Sequence, residues 1–156
     1  MYDLIPRATQ RQKLARHILF ELDLIGRWKE FGTPVIVGAV AYDLVVSPDI
    51  DMEVYCPDLR IEHGFNVLSS CALHPNVTKA RFANELSGRD QALYWQLRYR
   101  PERPDGWTQR WDEEWKVDMW SAPADYNLPM GRNLVEPLRL ALTTQTRAVI
   151  LELKEQ

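Results

Sequence analysis

The chain has 156 residues, of which 46% are hydrophobic, 26% are charged and two are cysteine. This length and composition predict one domain over residues 1–156 with a real core, and they exclude disordered, fibrous and disulfide-framework proteins. The formal net charge of −3 offers no general attraction for phosphate backbones, so nucleic acid is disfavoured as a partner. The polar N-terminus and the short apolar runs predict a cytoplasmic protein that does not enter a membrane.

The first half of the chain predicts helices and strands separated by glycine and proline. Apolar residues from Leu14 to Trp28 recur at helical spacings, which indicates one helix with Thr9 as its cap. Gly32 ends this helix, and the uncharged, β-branched run that follows is typical of a buried strand. In chain order, the predicted elements are a helix over 9–30, a strand over 33–37, a short helix over 39–45, a strand over 49–55 and a helix over 57–72.

The second half predicts antiparallel strands followed by two helices. The turn residues 87–90 separate two alternating runs, which indicates a hairpin. Thr143 or Thr144 caps the last helix, whose inward side includes Leu151. The predicted elements are strands over 77–86, 91–100 and 114–120 and helices over 134–142 and 144–155. Elements of these types in this order indicate an α+β fold, with an antiparallel or mixed sheet flanked by helices.

Alternation of side chains places three acids of the strand over 49–55 on one face. Asp49, Asp51 and Glu53 share that face, and Ile50 and Met52 share the other. Acids so close together repel one another, so the pattern fits either a solvated strand edge or a site for a cation. Glu53 lies further along the strand than the two aspartates, and we interpret it as a peripheral acid of an ion pair.

A glycine turn precedes the acidic strand, because Gly38 and Ala39 end one predicted strand and begin a short helix. Glycine lets the backbone approach a phosphate closely, and the first amides of a helix are unpaired donors. Asp49 and Asp51 supply the oxygen ligands that Mg²⁺ prefers beside substrate phosphates. Asp118, on a later strand, is either a third carboxylate of the same site or a partner for a nearby base such as Lys116.

These residues resemble the polymerase β-type nucleotidyltransferases. That family's pattern is a hydrophobic residue, Gly and Gly or Ser, then a spacer of about ten residues and Asp-hydrophobic-Asp/Glu-hydrophobic, with a later strand acid; in this chain Val-Gly-Ala is followed after nine residues by Asp-Ile-Asp-Met and later by Val-Asp-Met. The resemblance implies transfer of a nucleoside monophosphate from a nucleoside triphosphate to a hydroxyl group. It implies Asp49, Asp51 and Asp118 as catalytic and magnesium-binding residues, with Gly38 and Ala39 under the phosphates.

Within the family, the element order is most similar to small stand-alone enzymes such as the antibiotic nucleotidyltransferases. The acidic isoelectric point favours a small-molecule acceptor, and a homodimer would supply a missing wall of the acceptor pocket. Ala39 lacks the hydroxyl that family members often direct at phosphate, which leaves open a non-catalytic member of the fold that binds a nucleotide or a partner. A metal-dependent phosphohydrolase is a more distant alternative, against which the glycine turn argues.

Aromatic residues are frequent in the second half of the chain. Tyr94 and Trp95 lie on one predicted strand, and Trp115 and Trp120 lie on another. Such rings stack against nucleobases or aromatic acceptors, although they more often fill a core. The basic residues Arg81, Arg98 and Arg100 on the predicted hairpin fit either phosphate contacts or a solvated sheet face.

Overall fold

The protein, here a computed structural model, is described over residues 4–103, 105 and 113–156. Trp107 and Trp111, two further aromatic candidates for stacking, lie outside the described residues. Along the chain the elements are α1 (Leu4–Glu21), α2 (Leu24–Lys29), β1 (Thr33–Val37), α3 (Gly38–Tyr42), β2 (Asp49–Cys56), α4 (Ile61–Ala72), β3 (Val77–Glu85), β4 (Ala92–Tyr99), β5 (Trp115–Pro123), α5 (Arg132–Ala141) and α6 (Thr144–Lys154).

The strands form one five-stranded sheet in the order β1-β2-β5-β4-β3. The neighbours β2 and β5 run parallel, and the other three pairs are antiparallel. The predicted hairpin is the β3–β4 pair, in which Phe82 lies opposite Trp95. The expected α+β class with a mixed sheet flanked by helices is therefore confirmed.

One face of the sheet carries the main hydrophobic core. Ile50 and Met52 of β2, Trp95 of β4 and Met119 of β5 are fully buried in it. Side chains of α1, α2 and α4 close the same cluster from above, including the buried ring of Trp28. Burial of this much apolar surface is the main stabilising contribution to the fold, and it fixes which side of each central strand faces inward.

The first predicted helix is wrong in both its cap and its continuity. The helix begins at Leu4, so Thr9 lies inside it, and Asp23 interrupts it with a left-handed backbone (φ 47°). Leu22 and Leu24 are 2% and 0% exposed, yet residues two apart on a continuous helix face nearly opposite directions. The break at Asp23 lets both leucines enter the core.

The C-terminal helices are attached to the end of α3. Arg139 donates to the backbone oxygen of Ala41, Arg147 to that of Asp43 and Lys154 to that of Leu44, at 3.0, 2.8 and 2.9 Å. These cations lie where a helix end presents unpaired carbonyl groups, which favours positive charge.

Thr143, one of the two expected caps of the last helix, forms a capping box with Thr146. Leu151 is buried as expected, and it packs with Ala8 and Leu44 in a small second core. Within the described ranges, the helices are all too short or too polar to cross a lipid bilayer.

Candidate functional site

The parallel pairing of β2 and β5 places the three aspartates on one open face of the sheet. In this register Asp51 lies opposite Asp118, and Asp49 lies opposite Lys116. Paired residues on adjacent strands point to the same side, about 5 Å apart. The sheet therefore brings the three acids named by the sequence side by side, with one lysine among them.

Asp51 is the central and least favourable charge of this group. Burial of its carboxyl, followed by the charges of Asp118 and Asp49, raises its pKa to about 6. The ammonium of Lys116 opposes this shift without cancelling it. A bound cation would relieve the same repulsion, because it interacts favourably with all of these carboxylates.

Asp118 is held on both of its oxygens. Its Oδ1 accepts hydrogen bonds from the Tyr94 hydroxyl and, at 3.0 Å, from Gln96 Nε2. Its Oδ2 lies 3.3 Å from Lys116 Nζ. Asp118 therefore pairs with Lys116 in the protein without substrate, which is one of the two alternatives that the sequence left open.

Gly38 lies directly beside the acid pair, at the turn from β1 into α3. Its φ of +67° is in the left-handed region, and a Cβ at this position would stand 2.8 Å from Asp51 Oδ2. Any residue larger than glycine would therefore strain the backbone and displace the carboxylate. Ala39, the next residue, packs its methyl group against the core, which leaves the turn with backbone amides and no hydroxyl.

The donor set suits a cation that arrives with its substrate rather than a complete protein cage. Within the described residues, no three His, Cys, Asp or Glu side chains are grouped closely enough to hold a metal ion. Mg²⁺ usually takes only one or two protein carboxylates and completes its shell with water and substrate phosphates. Asp49 and Asp51, beside the backbone of the glycine turn, fit that mode of binding.

Glu53 does not have the peripheral role that we expected from the sequence. Its two carboxylate oxygens accept hydrogen bonds from the backbone amides of Gly131 and Arg132, both at 3.0 Å. The Tyr55 hydroxyl also donates to it at 2.8 Å. Glu53 therefore fixes the N-terminus of α5 against β2, next to Asp51, and the negative charge favours that helix end.

An aromatic cavity of about 130 Å³ adjoins the acids on the same face of the sheet. The cavity begins two residues beyond Asp51 and Asp118 along their strands, at Glu53 on β2 and Trp120 on β5. Tyr55, Trp120 and Tyr126 contribute three aromatic side chains to its lining. A cavity of similar volume accommodates a single six-membered ring.

Basic residues occupy the same face toward the other edge of the sheet. Arg98 lies opposite Lys116, and Lys79 and Arg81 on the edge strand β3 lie opposite Arg98 and Gln96. Lys79 and Arg81 are exposed. Acidic, basic and aromatic groups thus adjoin one another on a single surface, although the chain as a whole is acidic.

Sequence reasoning named Lys116 as a partner of Asp118 but missed Tyr94 and Gln96. The alternation of β4 was readable, and it puts Tyr94, Gln96 and Arg98 on one side of that strand. The missing information was the strand order, because β4 and β5 are separated by a long connection whose length does not fix their pairing. Only the register places Gln96 opposite Asp118.

Comparison with known proteins assigns the fold. No protein-family model and no curated protein matches the chain. Solved structures do match: Cid1 with its short product ApU and Cid1 with the UTP analogue UMPNPP each give 14% identity and a TM-score of 0.58, over 93% of this chain and 40% of Cid1. A cytoplasmic RNA terminal U-transferase gives 14% identity and a TM-score of 0.59, over 99% of this chain and 46% of that one. The chain spans less than half of each of these proteins, and it has the α+β nucleotidyltransferase fold.

Proposed function

We propose that this protein is a Mg²⁺-dependent nucleotidyltransferase, which transfers a nucleoside monophosphate from a nucleoside triphosphate to a hydroxyl of a small-molecule acceptor. One observation carries the proposal. Asp49 and Asp51 lie on one face of β2, and Gly38, in a left-handed conformation, brings the backbone of the glycine turn directly beside Asp51. Cid1, whose structure matches this fold, is described in complex with a UTP analogue and with its product ApU, which supports a nucleoside triphosphate as the substrate.

Each residue has a distinct role in this proposal. Asp49 and Asp51 would hold Mg²⁺, which when bound would supply positive charge against the substrate phosphates. Backbone amides at Gly38 and Ala39 bind the β- and γ-phosphates, since no side chain at either position blocks the approach. Asp118 accepts the proton of the attacking hydroxyl or joins the metal ligands, and Tyr94 and Gln96 hold its carboxylate in place.

The aromatic cavity supports a small acceptor. It adjoins Asp118 through Trp120, which lies two residues further along β5. An acceptor whose hydroxyl reaches Asp118 would place a neighbouring ring against Trp120 and Tyr126, where aromatic faces provide stacking area. Glu53 and Asp90 at the margin would favour an acceptor that carries positive charge, as amino sugars do.

A second candidate acceptor is the end of an RNA chain. The matched proteins are described with ApU and as an RNA terminal U-transferase, and the basic residues Lys79, Arg81 and Arg98 share the open face with Trp120 and Tyr94. Positive charge beside stacking rings is the usual surface for single-stranded nucleic acid. The net charge of −3 favours the small acceptor, and the local surface favours RNA.

The test is release of pyrophosphate with Mg²⁺ and each of the four nucleoside triphosphates. The acceptor panel contains aminoglycosides, lincosamides, nucleosides and short RNAs with free 3′ ends. Asp51→Asn should abolish turnover, and the control Asp58→Asn, which removes an exposed acid paired with Arg60, should retain it. Triphosphate binding that requires Asp51 but yields no pyrophosphate with any acceptor would support a non-catalytic nucleotide-binding protein instead. Absence of triphosphate binding would contradict the proposed site.

A further inference from the structure

Lys116 lies within the acidic site, at the position of a shared cation. Its Nζ is 3.3 Å from Asp118 Oδ2 and 3.9 Å from Asp49 Oδ1. The two aspartates come from different strands, and the lysine reaches both because it faces Asp49 in the register and precedes Asp118 by two residues on β5. The side chain of Asp118 is only 14% exposed, so this ion pair is shielded from solvent more than an ordinary surface pair.

The contacts of Asp118 determine how its ion pair with Lys116 affects metal binding. Tyr94 and Gln96 occupy Oδ1, and the ammonium of Lys116 approaches Oδ2. Since Oδ1 already accepts two hydrogen bonds, a metal ion that used Asp118 would compete with the ammonium of Lys116 for Oδ2. It would also have to approach Asp49 and Asp51 against the positive charge of Lys116.

We propose that Lys116 is a resident counter-cation of the acidic site, which keeps Asp118 out of metal coordination and weakens divalent-ion binding until a nucleotide is bound. A triphosphate offers the ammonium new anionic partners, so the lysine can leave Asp118 when the substrate and its metal arrive together. Metal binding thereby depends on the nucleotide, and the free protein does not retain a loosely held ion. This inference rests on the proposed function, because it assigns a positioning residue to the same site.

The size of the effect follows from electrostatics. A single charge and a divalent ion about 5 Å apart repel each other appreciably even at the dielectric constant of water. Removing that repulsion should tighten divalent-ion binding about tenfold, with less competition for Asp118 as a further gain. The effect should be local, since charges beyond about 10 Å are largely screened at 0.1 M salt.

The experiment measures binding of Mn²⁺ alone by electron paramagnetic resonance, without nucleotide, to the full chain. Lys116→Met should bind Mn²⁺ about tenfold more tightly than the wild type, and Lys116→Arg, which keeps the charge, should remain within about twofold of it. Lys79→Met removes the same charge from the same face, two strands away from Lys116 in the register, and should leave the affinity unchanged. Circular dichroism establishes that each variant is folded.

Three results would overturn the role of Lys116. The first is a Lys116→Met protein that binds Mn²⁺ no more tightly than the wild type. The second is an equal gain in Lys79→Met, which would indicate a general field effect. A nucleotide analogue should reduce the difference between wild type and Lys116→Met, and an unchanged difference would also count against the proposal. The double variant Lys116→Met/Asp51→Asn separates this failure from failure of the proposed function, because tight Mn²⁺ binding that survives loss of Asp51 would place the metal elsewhere.

Discussion

The two faces of β2 and β5 differ as much as any two regions of the molecule. On the inner face Ile50, Met52 and Met119 are fully buried, and each such side chain contributes about 1.5–3 kcal/mol when removed from water. On the outer face Asp49, Asp51 and Asp118 lie beside one another, and their mutual repulsion opposes folding. Burial on the inner face therefore supplies the stability that allows the outer face to keep an unfavourable cluster of charge.

The largest expected change in the free energy of unfolding comes from a substitution on the inner face. Trp95→Ala should lower the free energy of unfolding by about 3–5 kcal/mol, because it leaves a large cavity. Trp95 is fully buried, packs against Trp28 and Phe82, and donates to Ser121 Oγ at 2.9 Å. Urea unfolding measures the loss, with Trp120→Ala on the outer face as the matched control. Equal losses in the two variants would contradict the division of roles between the faces.

The next largest effect is at Gly38, in the turn from β1 into α3 beside Asp51. Gly38→Val should cost about 1–3 kcal/mol, because a β-branched residue is strained at a φ of +67°. It should also abolish nucleotide binding, since the new side chain would displace the Asp51 carboxylate. Urea unfolding and calorimetry with ATP and Mg²⁺ measure the two effects, and Gly88→Ala in the exposed β3–β4 turn serves as control. Unchanged nucleotide affinity in a folded Gly38→Val protein would make the glycine purely structural.

On the outer face, removing a charge should stabilise the protein in a pH-dependent way. The unfolded Asp51 loses its proton near pH 4 and the folded one near pH 6, so between these values the folded state binds more protons and stability falls as pH rises. Asp51→Asn should therefore exceed the wild type by about 1–2 kcal/mol at pH 8, after allowance for solvent screening, and match it near pH 4.

Urea unfolding in metal-free buffer across this range gives the measurement. Asp58→Asn removes a well-exposed acid and should show no such trend. A gain from Asp51→Asn that is as large at pH 4 as at pH 8 would mean that Asp51 is not destabilised by its neighbours.

Much of the sheet was predictable from local pattern. Charge and apolarity alternate so regularly over residues 49–54 that only one face of β2 can enter the main core, and the observed burial follows that alternation. The interruption at Asp23 was not predictable. Leu22 and Leu24 are both buried although their spacing is not helical, and the advantage of burying both exists only in the packed structure. Local periodicity carries no information about such a tertiary choice.

The candidate site likewise contains residues that the local sequence predicted and residues that depend on strand pairing. Alternation along β2 predicted that Asp49 and Asp51 would share a face, and the family pattern of a glycine turn before two strand acids predicted that Gly38 would lie beside them. Asp118 was named from its strand, but Tyr94 and Gln96 depend on which strand pairs with β5. The sequence likewise indicated that Lys116 is near Asp118 without showing that its ammonium reaches Asp49 across the parallel pair.

The smallest expected effect concerns Glu53, which belongs to the acidic strand but serves the helix beside it. Its oxygens accept from the amides of Gly131 and Arg132 at the start of α5, and first-turn amides have no partner within the helix. Glu53→Gln keeps the shape and one acceptor, but it turns an NH₂ group toward an amide that needs an acceptor and removes the charge that favours the helix end. The expected loss is about 0.5–1.5 kcal/mol.

Because α5 has no fully buried side chain, this loss should appear as local opening of the helix before it appears in global unfolding. Hydrogen exchange of the α5 amides should therefore accelerate by about tenfold, while exchange in β2 and β5 changes little. High salt should narrow the difference between the variant and the wild type, since part of it is a charge–dipole interaction. Glu136→Gln, within α5 itself, is the control, and equal acceleration in that variant would assign the effect to helix composition rather than to the attachment of α5 by Glu53.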